Sequence, residues 1–557
     1  MKDKIKVLYF AIIKRKRFNT LYKHFLWCKN EFGIGLEMYF NKELYIERHD
    51  EWVNIIAKKV SEMKNITIDR ATFKIYQISE LFGIAPMDYY RNAYYEYTNY
   101  HLADGIICMP TEKEYIDKMA EVIKLRTGIS KKQAKERIEY IKNRFHVTYK
   151  TIMFQCFYKC TDSQIREKLE RITGSWEGSI SSGLRYIANR EKVSLEMAEQ
   201  RIKELKDKFG IDAFFNRKYF KMDNETIFQL LDKNDERRMN EIIAMAEKTG
   251  KPLKAFLYDR NINMLAFGIS KETFNGLKLA LRPLENINSF IIDSDMRYLM
   301  TKYNMSDDKE VLDNKFKFLK FFSKLTNRAF WSNVNEPGYE AFMEFLNRVN
   351  SEQIIVKPLK GLAGKNIKKY DLEARDAEEI YKEINKQGDI IAEECVVNHD
   401  DLSFGSGALN SMRILSIYEN QRCNIIYAFF RVGIRNNIVD NLSQGGYISR
   451  INLETGMLES NGITMNEQIY INDPVSMKKI KGTQIPYWQE ALDMIDKASS
   501  MIKNVGFVGW DVAISPYGPI LIEGNSNPLV SANEYLYLEK EFGHRDILEK
   551  YLDEVHF

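Results

Sequence analysis

Two apolar runs near the C-terminus, Gly509-Trp510-Asp511-Val512-Ala513-Ile514 and Ile520-Leu521-Ile522-Glu523-Gly524-Asn525, are separated only by Ser515-Pro516-Tyr517-Gly518-Pro519. Strand-like runs this close, joined through Pro and Gly, leave the chain little choice but a β-hairpin. Side chains alternate with period two along a strand, so Asp511 and Glu523 face each other across the hairpin, and Asn525 follows Glu523 on the same face. Two carboxylates and an amide oxygen are hard ligands and suit Mg2+ better than zinc. The seven His and six Cys are too scattered for a zinc site. Cys156 and Cys160 have no companion pair and read as buried thiols.

At 557 residues, 45% hydrophobic and 29% charged, the chain is too long for one core and apolar enough for two or three domains. Residues 1–250 carry 46 Lys and Arg against 36 Asp and Glu, and the remainder carries 36 against 42. This asymmetry marks two functional halves; a Lys-biased solvated helix surface is the ordinary reading of the basic one. The run Val7–Ile13 is short and is met at once by Lys14-Arg15-Lys16-Arg17. No cleavage site follows and no stretch approaches the ~20 apolar residues of a membrane helix, so a cytoplasmic protein is expected.

The first half repeats itself. Phe-Gly-Ile recurs at residues 32–34, 82–84 and 209–211, with Phe145-His146-Val147 as a divergent copy. Before each Phe, the positions eleven, seven and four residues back are apolar: Leu21, Phe25, Cys28; Ala71, Ile75, Ile78; Ala134, Ile138, Ile141; Ala198, Ile202, Leu205. That spacing is one stripe of a helix. Thr67, Ser130 and Ser194 stand where an N-cap belongs, and the Gly after Phe suits a left-handed stop. Each unit predicts a capped helix, a stop, and a second aromatic helix such as Met87 to Tyr97 or Ala213 to Phe220. Four such repeats stacked side by side are expected over residues 1–250. The tyrosines from Tyr89 to Tyr97 offer either packing or a binding face for a glycan or protein. No Arg/Lys stripe interleaves them, which argues against nucleic acid. Residues 251–300 form a junction, and strand and loop patterns of mixed direction occupy residues 301–557.

Within that last region several blocks occur in order: Leu409-Asn410-Ser411-Met412-Arg413, Ala428-Phe429-Phe430-Arg431-Val432-Gly433, Val439-Asp440-Asn441, Gly445-Gly446, Gly482-Thr483-Gln484-Ile485-Pro486 and Gly509-Trp510-Asp511-Val512. Together with the acidic hairpin they resemble the sugar-transfer-associated ATP-grasp family, over Lys315 to Pro528. The expected fold class is therefore α+β, a C-terminal ATP-grasp fold preceded by an all-α helical-repeat domain.

The resemblance implies ATP and Mg2+ as cofactors, with Asp511, Glu523 and Asn525 as metal ligands. Lys315 and Lys357, each a surface Lys if met alone, become the pair that grips phosphates from two sides. The loop containing Gly361, Gly364 and Lys365 lets backbone N–H groups approach phosphate, although Ala363 and Asn366 stand where the family often has glycine. Glu393, Glu394 and Val396 resemble the hinge that meets adenine, with Asp400 or Asp401 on the ribose; alternatively Glu393 and Glu394 form salt bridges across the cleft. Arg413 and Arg431, on adjacent strands, need an anion, either a transferring phosphoryl group or Asp440 or Asp511 as an ion-pair partner. His399, Asp440, Asn441, Gly445 and Gly446 match positions that look like substrate contacts.

The reaction implied is that of a carboxylate-amine ligase: a small-molecule carboxylate is activated as an acyl phosphate, and an amine-bearing sugar, polysaccharide precursor or peptide displaces phosphate. A phosphotransferase with a hydroxyl acceptor, and a helical-repeat scaffold that binds nucleotide without turnover, are the alternatives.

Overall fold

The computed structural model describes residues 7, 18–34, 39, 49–171, 184, 187–188, 191–209, 211, 219–359, 367–404, 407–434, 445–465, 467–528, 534, 536 and 542–552. Its contacts divide the chain into two units, Met1–Thr111 with Ile172–Ile262, and Glu112–Arg171 with Asn263–Phe557.

The repeated helices form where the 11-7-4 stripe predicts them: Phe18–Phe32, Ile68–Phe82, Lys131–Phe145 and Leu195–Phe209. Thr67 accepts the Arg70 N–H, Ser130 and Gln133 form a reciprocal capping box, and Ser194 accepts the Met197 N–H at 3.2 Å. Gly83 closes its helix at φ +67°, and His146 adopts the same left-handed geometry at φ +53°.

The second helix differs from expectation. It is six residues long, Pro86–Arg91 or Tyr149–Phe154, and a left-handed residue, Ala93 or Cys156, then turns the chain into a 3-10 turn at Tyr94–Glu96 or Phe157–Lys159. Tyr89 and Tyr90 are buried, so packing takes those aromatics. The Ala213–Phe220 copy lies largely outside the described residues.

A further copy occupies the expected junction. Helix Leu253–Phe267, Gly268 at φ +67°, helix Lys271–Gly276, left-handed Lys278 and the turn Leu279–Leu281 repeat the same order. Phe267-Gly268-Ile269 is the signature, but the stripe positions before it are Phe256, Arg260 and Asn263, two of them polar.

The repeats also divide between the units rather than filling one domain that ends at residue 250. The Lys131–Phe145 copy carries Ile138, Ile152, Met153, Phe157 and Tyr158 into the same core as Leu415, Ile417 and Phe429 of the C-terminal sheet. These side chains are too apolar to be left against water, and the sheet face offers them cover.

Among the described residues the strands of the second unit form two sheets. The first has the order β1 (Phe330–Ser332), β4 (Ile390–Glu394), β2 (Gln353–Pro358), β3 (Lys368–Asp371). The second runs β11 (Gly518–Asn525), β10 (Phe507–Ser515), β5 (Ser411–Glu419), β6 (Arg422–Val432), β7 (Tyr447–Arg450), β8 (Gly462–Thr464), β9 (Ile469–Tyr470). Every pairing is antiparallel, where mixed direction was expected. Tight turns explain this in part: Asn420 and Gln421, both at positive φ, join β5 to β6, as a two-residue hairpin with right-handed strand twist requires.

Helices Tyr339–Leu346 and Ala377–Asn385 cover one face of the smaller sheet through Phe342, Phe345, Ile380 and Ile384. Lys357 and Glu393 alternate away from that face. In the larger sheet Met412, Ile414, Phe430, Val508, Trp510 and Val512 pack on helix Trp488–Met501. The opposite face is divided along the strand direction. Leu415, Ile417, Tyr427, Phe429 and Phe507 are buried under helical segments, and the charged residues begin where that apolar cover ends.

Candidate functional site

Strand register brings the charged groups together. Asp511 on β10 pairs directly with Glu523 on β11 and with Arg413 on β5. Arg413 stands opposite Phe429, so Arg431, two residues further along β6, lies on the same face. Asn525 pairs with Gly509, and its Nδ2 donates to the Gly509 carbonyl at 3.3 Å. The pleat alone therefore places Asp511, Glu523, Asn525, Arg413 and Arg431 on one surface. A bulge after Asp511 re-aims the rest of the hairpin.

Asp511 is the ion-pair partner of both arginines. Its Oδ1 lies 2.6 Å from Arg413 Nε, and its Oδ2 lies 3.3 Å from Arg413 Nη2 and 3.0 Å from Arg431 Nη2. Arg431 Nε also donates to Ser411 Oγ at 3.1 Å. Burial works against the charge of Asp511, but the two guanidinium groups overcome it and hold the carboxyl below its ordinary range. Glu523 shows the opposite balance. Burial and the neighbouring Asp511 raise its pKa, and Lys315, Lys357 and Arg413 offset this only in part. Both lysines thus act electrostatically on the hairpin carboxylate.

Lys315 opens helix Lys315–Phe321, whose Asn314 cap accepts the N–H groups of Phe316 and Lys317. Lys357 on β2 reaches Glu393 Oε1 at 2.9 Å. Glu393 is also held by Arg328, whose Nε and Nη2 lie 2.9 and 2.8 Å from Oε2. Burial alone would raise the Glu393 pKa; Lys357 and Arg328 outweigh it and bring the value down to about 2. The salt-bridge alternative thus describes Glu393.

Glu394 is committed to the sheet. Its N–H donates to the Ala329 carbonyl at 2.9 Å, and its carboxylate accepts from Ala329 N at 3.0 Å and Asn350 N at 3.1 Å. Central position in the four-stranded sheet consumes its backbone, and Cys395 N still donates to Gln353 O at 3.1 Å, so Val396 is the first residue past that pairing.

His399 N donates to the Ile514 carbonyl at 2.8 Å, and its Nδ1 accepts from Asp401 N at 3.2 Å. The Asp400 carbonyl accepts from Lys478 Nζ at 2.6 Å. This group lies by the turn end of β10, three residues along from Asp511. Gly445, at φ +92°, and Gly446 lead into β7, whose Tyr447 and Ile448 pair with Val432 and Arg431. Gly361, Gly364, Lys365, Asp440 and Asn441 lie outside the described residues.

Among the described residues no cluster of three or more His, Cys, Asp and Glu side chains is arranged to hold a metal ion. Both Asp511 oxygens face guanidinium groups, so the Glu523 carboxylate is the less committed of the two acids, and the Asn525 amide nitrogen is turned to Gly509, which leaves the amide oxygen for a cation. This set fits a hard divalent ion with water completing its shell. No helix among the described residues is long and apolar enough to cross a membrane.

Arg328 escaped the sequence reading. It sits in Asn327-Arg328-Ala329, with no motif around it, and only its partners single it out.

Residues 295–538 match the family model described as sugar-transfer associated ATP-grasp. This part of the molecule is similar to the ATP-grasp class, and the resemblance covers residues 295–538 alone; the whole chain is α+β, with a helical N-terminal region. No curated protein matches the chain. Solved structures similar to it include an ADP complex of N5-carboxyaminoimidazole ribonucleotide synthetase, 12% identical over 40% of this chain and 46% of that one, with a TM-score of 0.26. An L-amino acid ligase from Bacillus licheniformis is 14% identical over 44% and 48%, TM-score 0.26. A D-alanine-D-alanine ligase from Coxiella burnetii is 9% identical over 45% and 59%, TM-score 0.29. The match spans about half the length of these structures.

Proposed function

We propose that the protein is an ATP- and Mg2+-dependent carboxylate-amine ligase acting on a small-molecule carboxylate and an amine-bearing sugar or peptide. The observation that carries this reading is the single sheet face bearing Arg413, Arg431, Asp511, Glu523 and Asn525, with Lys315 and Lys357 within electrostatic reach of Glu523. The match of residues 295–538 to an ATP-grasp family supports it.

In this reading Lys315 and Lys357 hold phosphate oxygens of ATP, with Gly361, Gly364 and Lys365 as further phosphate-binding residues. Val396 lies at the adenine and Asp400 at the ribose. Glu523, Asn525 and Asp511 would hold Mg2+, which would supply charge neutralisation at the phosphates. A substrate carboxylate oxygen attacks the γ-phosphorus and ADP departs. Arg413 and Arg431 take the charge of the acyl phosphate, sharing themselves between it and Asp511. The amine nitrogen then attacks the acyl carbon, inorganic phosphate leaves, and an amide remains. His399, Asp440, Asn441, Gly445 and Gly446 contact the acid or the acceptor. No side-chain nucleophile is needed.

The helical repeats select the acceptor or a partner protein, and the protein works in the cytoplasm. The test is ADP and phosphate release with Mg2+ and ATP against pooled carboxylic acids, amino acids and amino sugars, beside an Asp511→Ala, Glu523→Ala double variant. Release that needs both an acid and an amine and vanishes in the variant supports the ligase. Release with a hydroxyl acceptor alone turns the reading to a phosphotransferase.

A further inference from the structure

The Arg328 side chain is buried two residues before β1, and its guanidinium makes four hydrogen bonds, one of them within an ion pair with Glu393. Nε donates to Glu393 Oε2 at 2.9 Å, and Nη2 lies 2.8 Å from the same oxygen and donates to the Ile522 carbonyl at 3.0 Å. Nη1 donates to the carbonyls of Leu521 at 2.7 Å and Thr326 at 3.3 Å. Guanidinium is the side chain able to use five donors in fixed directions at once. One residue thereby joins Glu393 of the smaller sheet to the backbone of β11 immediately before Glu523.

The charges in this cluster form a row: Lys357, Glu393, Arg328. Glu393 Oε1 faces Lys357 at 2.9 Å, and Oε2 faces Arg328. Lys357 is the member of the row with a route toward a ligand, since its side chain is 17% exposed and that of Arg328 only 3%. With Arg328 present the row carries one net positive charge. Without it, the Lys357 ammonium neutralises a buried carboxylate and brings no surplus charge to an incoming phosphate.

We propose that Arg328 is the positioning residue for nucleotide binding: it supplies the second positive charge on Glu393, so that the Lys357 ammonium retains net charge for a phosphate of ATP. This rests on the reading of Lys357 as a phosphate-holding residue. Arg328 touches no reacting atom and acts through Glu393 and Lys357.

The experiment is a set of binding titrations with Mg2+-ATP and with adenosine, by calorimetry or competition, on the full chain. Arg328→Met is expected to weaken ATP roughly tenfold or more, the scale of losing one unit of favourable charge in a partly buried site, and to leave adenosine within about threefold. Adding Glu393→Gln restores the net charge of the row. The Arg328→Met, Glu393→Gln double variant is therefore expected to recover ATP affinity to within about threefold of the unaltered protein, a non-additivity that only coupled residues show.

A residue serving only to fasten β1 to β11 would give no such recovery, so a double variant as weak as the single overturns the proposal, as does a single variant that binds ATP normally. Arg328→Lys keeps the charge without the fork and guards against a misfolded methionine variant. Near-normal ATP affinity supports the proposal, and loss as severe as that of Arg328→Met overturns it. If the unaltered protein fails to bind ATP, the ATP-grasp ligase reading itself falls; if it binds and the cycle fails, only the role of Arg328 does.

Discussion

Arg413 and Asp511 are direct cross-strand partners, and their side chains meet at 2.6 Å. Because Arg431 approaches the same carboxylate at 3.0 Å, the buried Asp511 holds two partly buried cations in place. Removing its charge deprives both guanidinium groups of this carboxylate. Asp511→Asn is expected to cost about 3–5 kcal/mol, the scale of breaking a buried ion pair from one side. Asp511→Asn combined with Arg413→Met should cost less than the sum of the separate changes. Urea unfolding followed by tryptophan fluorescence measures this; an additive pair would mean the two side chains are not coupled.

The face shared by Asp511, Glu523 and Asn525 was legible in the sequence because a two-strand hairpin with a short turn has nearly one register, and the pleat does the rest. The capped helices were legible for a similar reason, since 3.6-residue periodicity and terminal capping are local. What stayed hidden was set by distant contacts. The second aromatic segment of each repeat breaks at Ala93 or Cys156, residues with no turn chemistry of their own. The copy at Phe267 keeps its Phe-Gly-Ile but places Arg260 and Asn263 on the stripe, which hides it from an apolar pattern. Arg328 and Glu534 are buried by segments far away in the chain.

The copies at Phe82 and Phe267 make different demands on their glycines. Gly83 adopts φ +67° with open space where a Cβ would stand, so Gly83→Ala is expected to cost only about 1 kcal/mol, the left-handed penalty. Gly268 has the same φ, but a Cβ there would collide with the Met153 backbone. Backbone cannot step aside as a flexible side chain does, so Gly268→Ala is expected to cost about 3 kcal/mol or more. Comparing the two variants by chemical denaturation checks this, and equal losses would mean the close approach is absent.

Glu393 gives acid sensitivity a definite window. Its folded pKa is about 2 against an ordinary 4.5, because Lys357 and Arg328 favour the ionised form. A group with a depressed folded pKa stabilises the protein above its unfolded value and loses that contribution as pH falls through the folded one. Glu393 should thus contribute about 3 kcal/mol above pH 4.5, lost progressively toward pH 2. Glu393→Gln is expected to flatten the stability profile across that window while lowering stability at neutral pH. An unchanged acid limb in the variant would refute the assignment.

Glu534 should behave in the reverse sense. It is fully buried and accepts N–H groups from Ile291 at 3.1 Å and from His544 at 3.3 Å, yet burial outweighs these hydrogen bonds, and its pKa is pushed up to about 8. Asp295 and Asp546 add to the rise. With the folded value above the unfolded one, the stability associated with this group is complete below about pH 4.5 and declines as pH rises toward 8. Glu534→Gln keeps an acceptor oxygen for the same N–H groups and removes the titration. The variant should therefore match the unaltered protein near pH 4.5 and exceed it by a few kcal/mol at pH 8, where the native carboxyl is being forced to ionise in a dry setting. Urea midpoints at the two pH values give the comparison, and a variant less stable at pH 8 than the unaltered protein would show that the ionised carboxylate, with its backbone donors, is the favoured form.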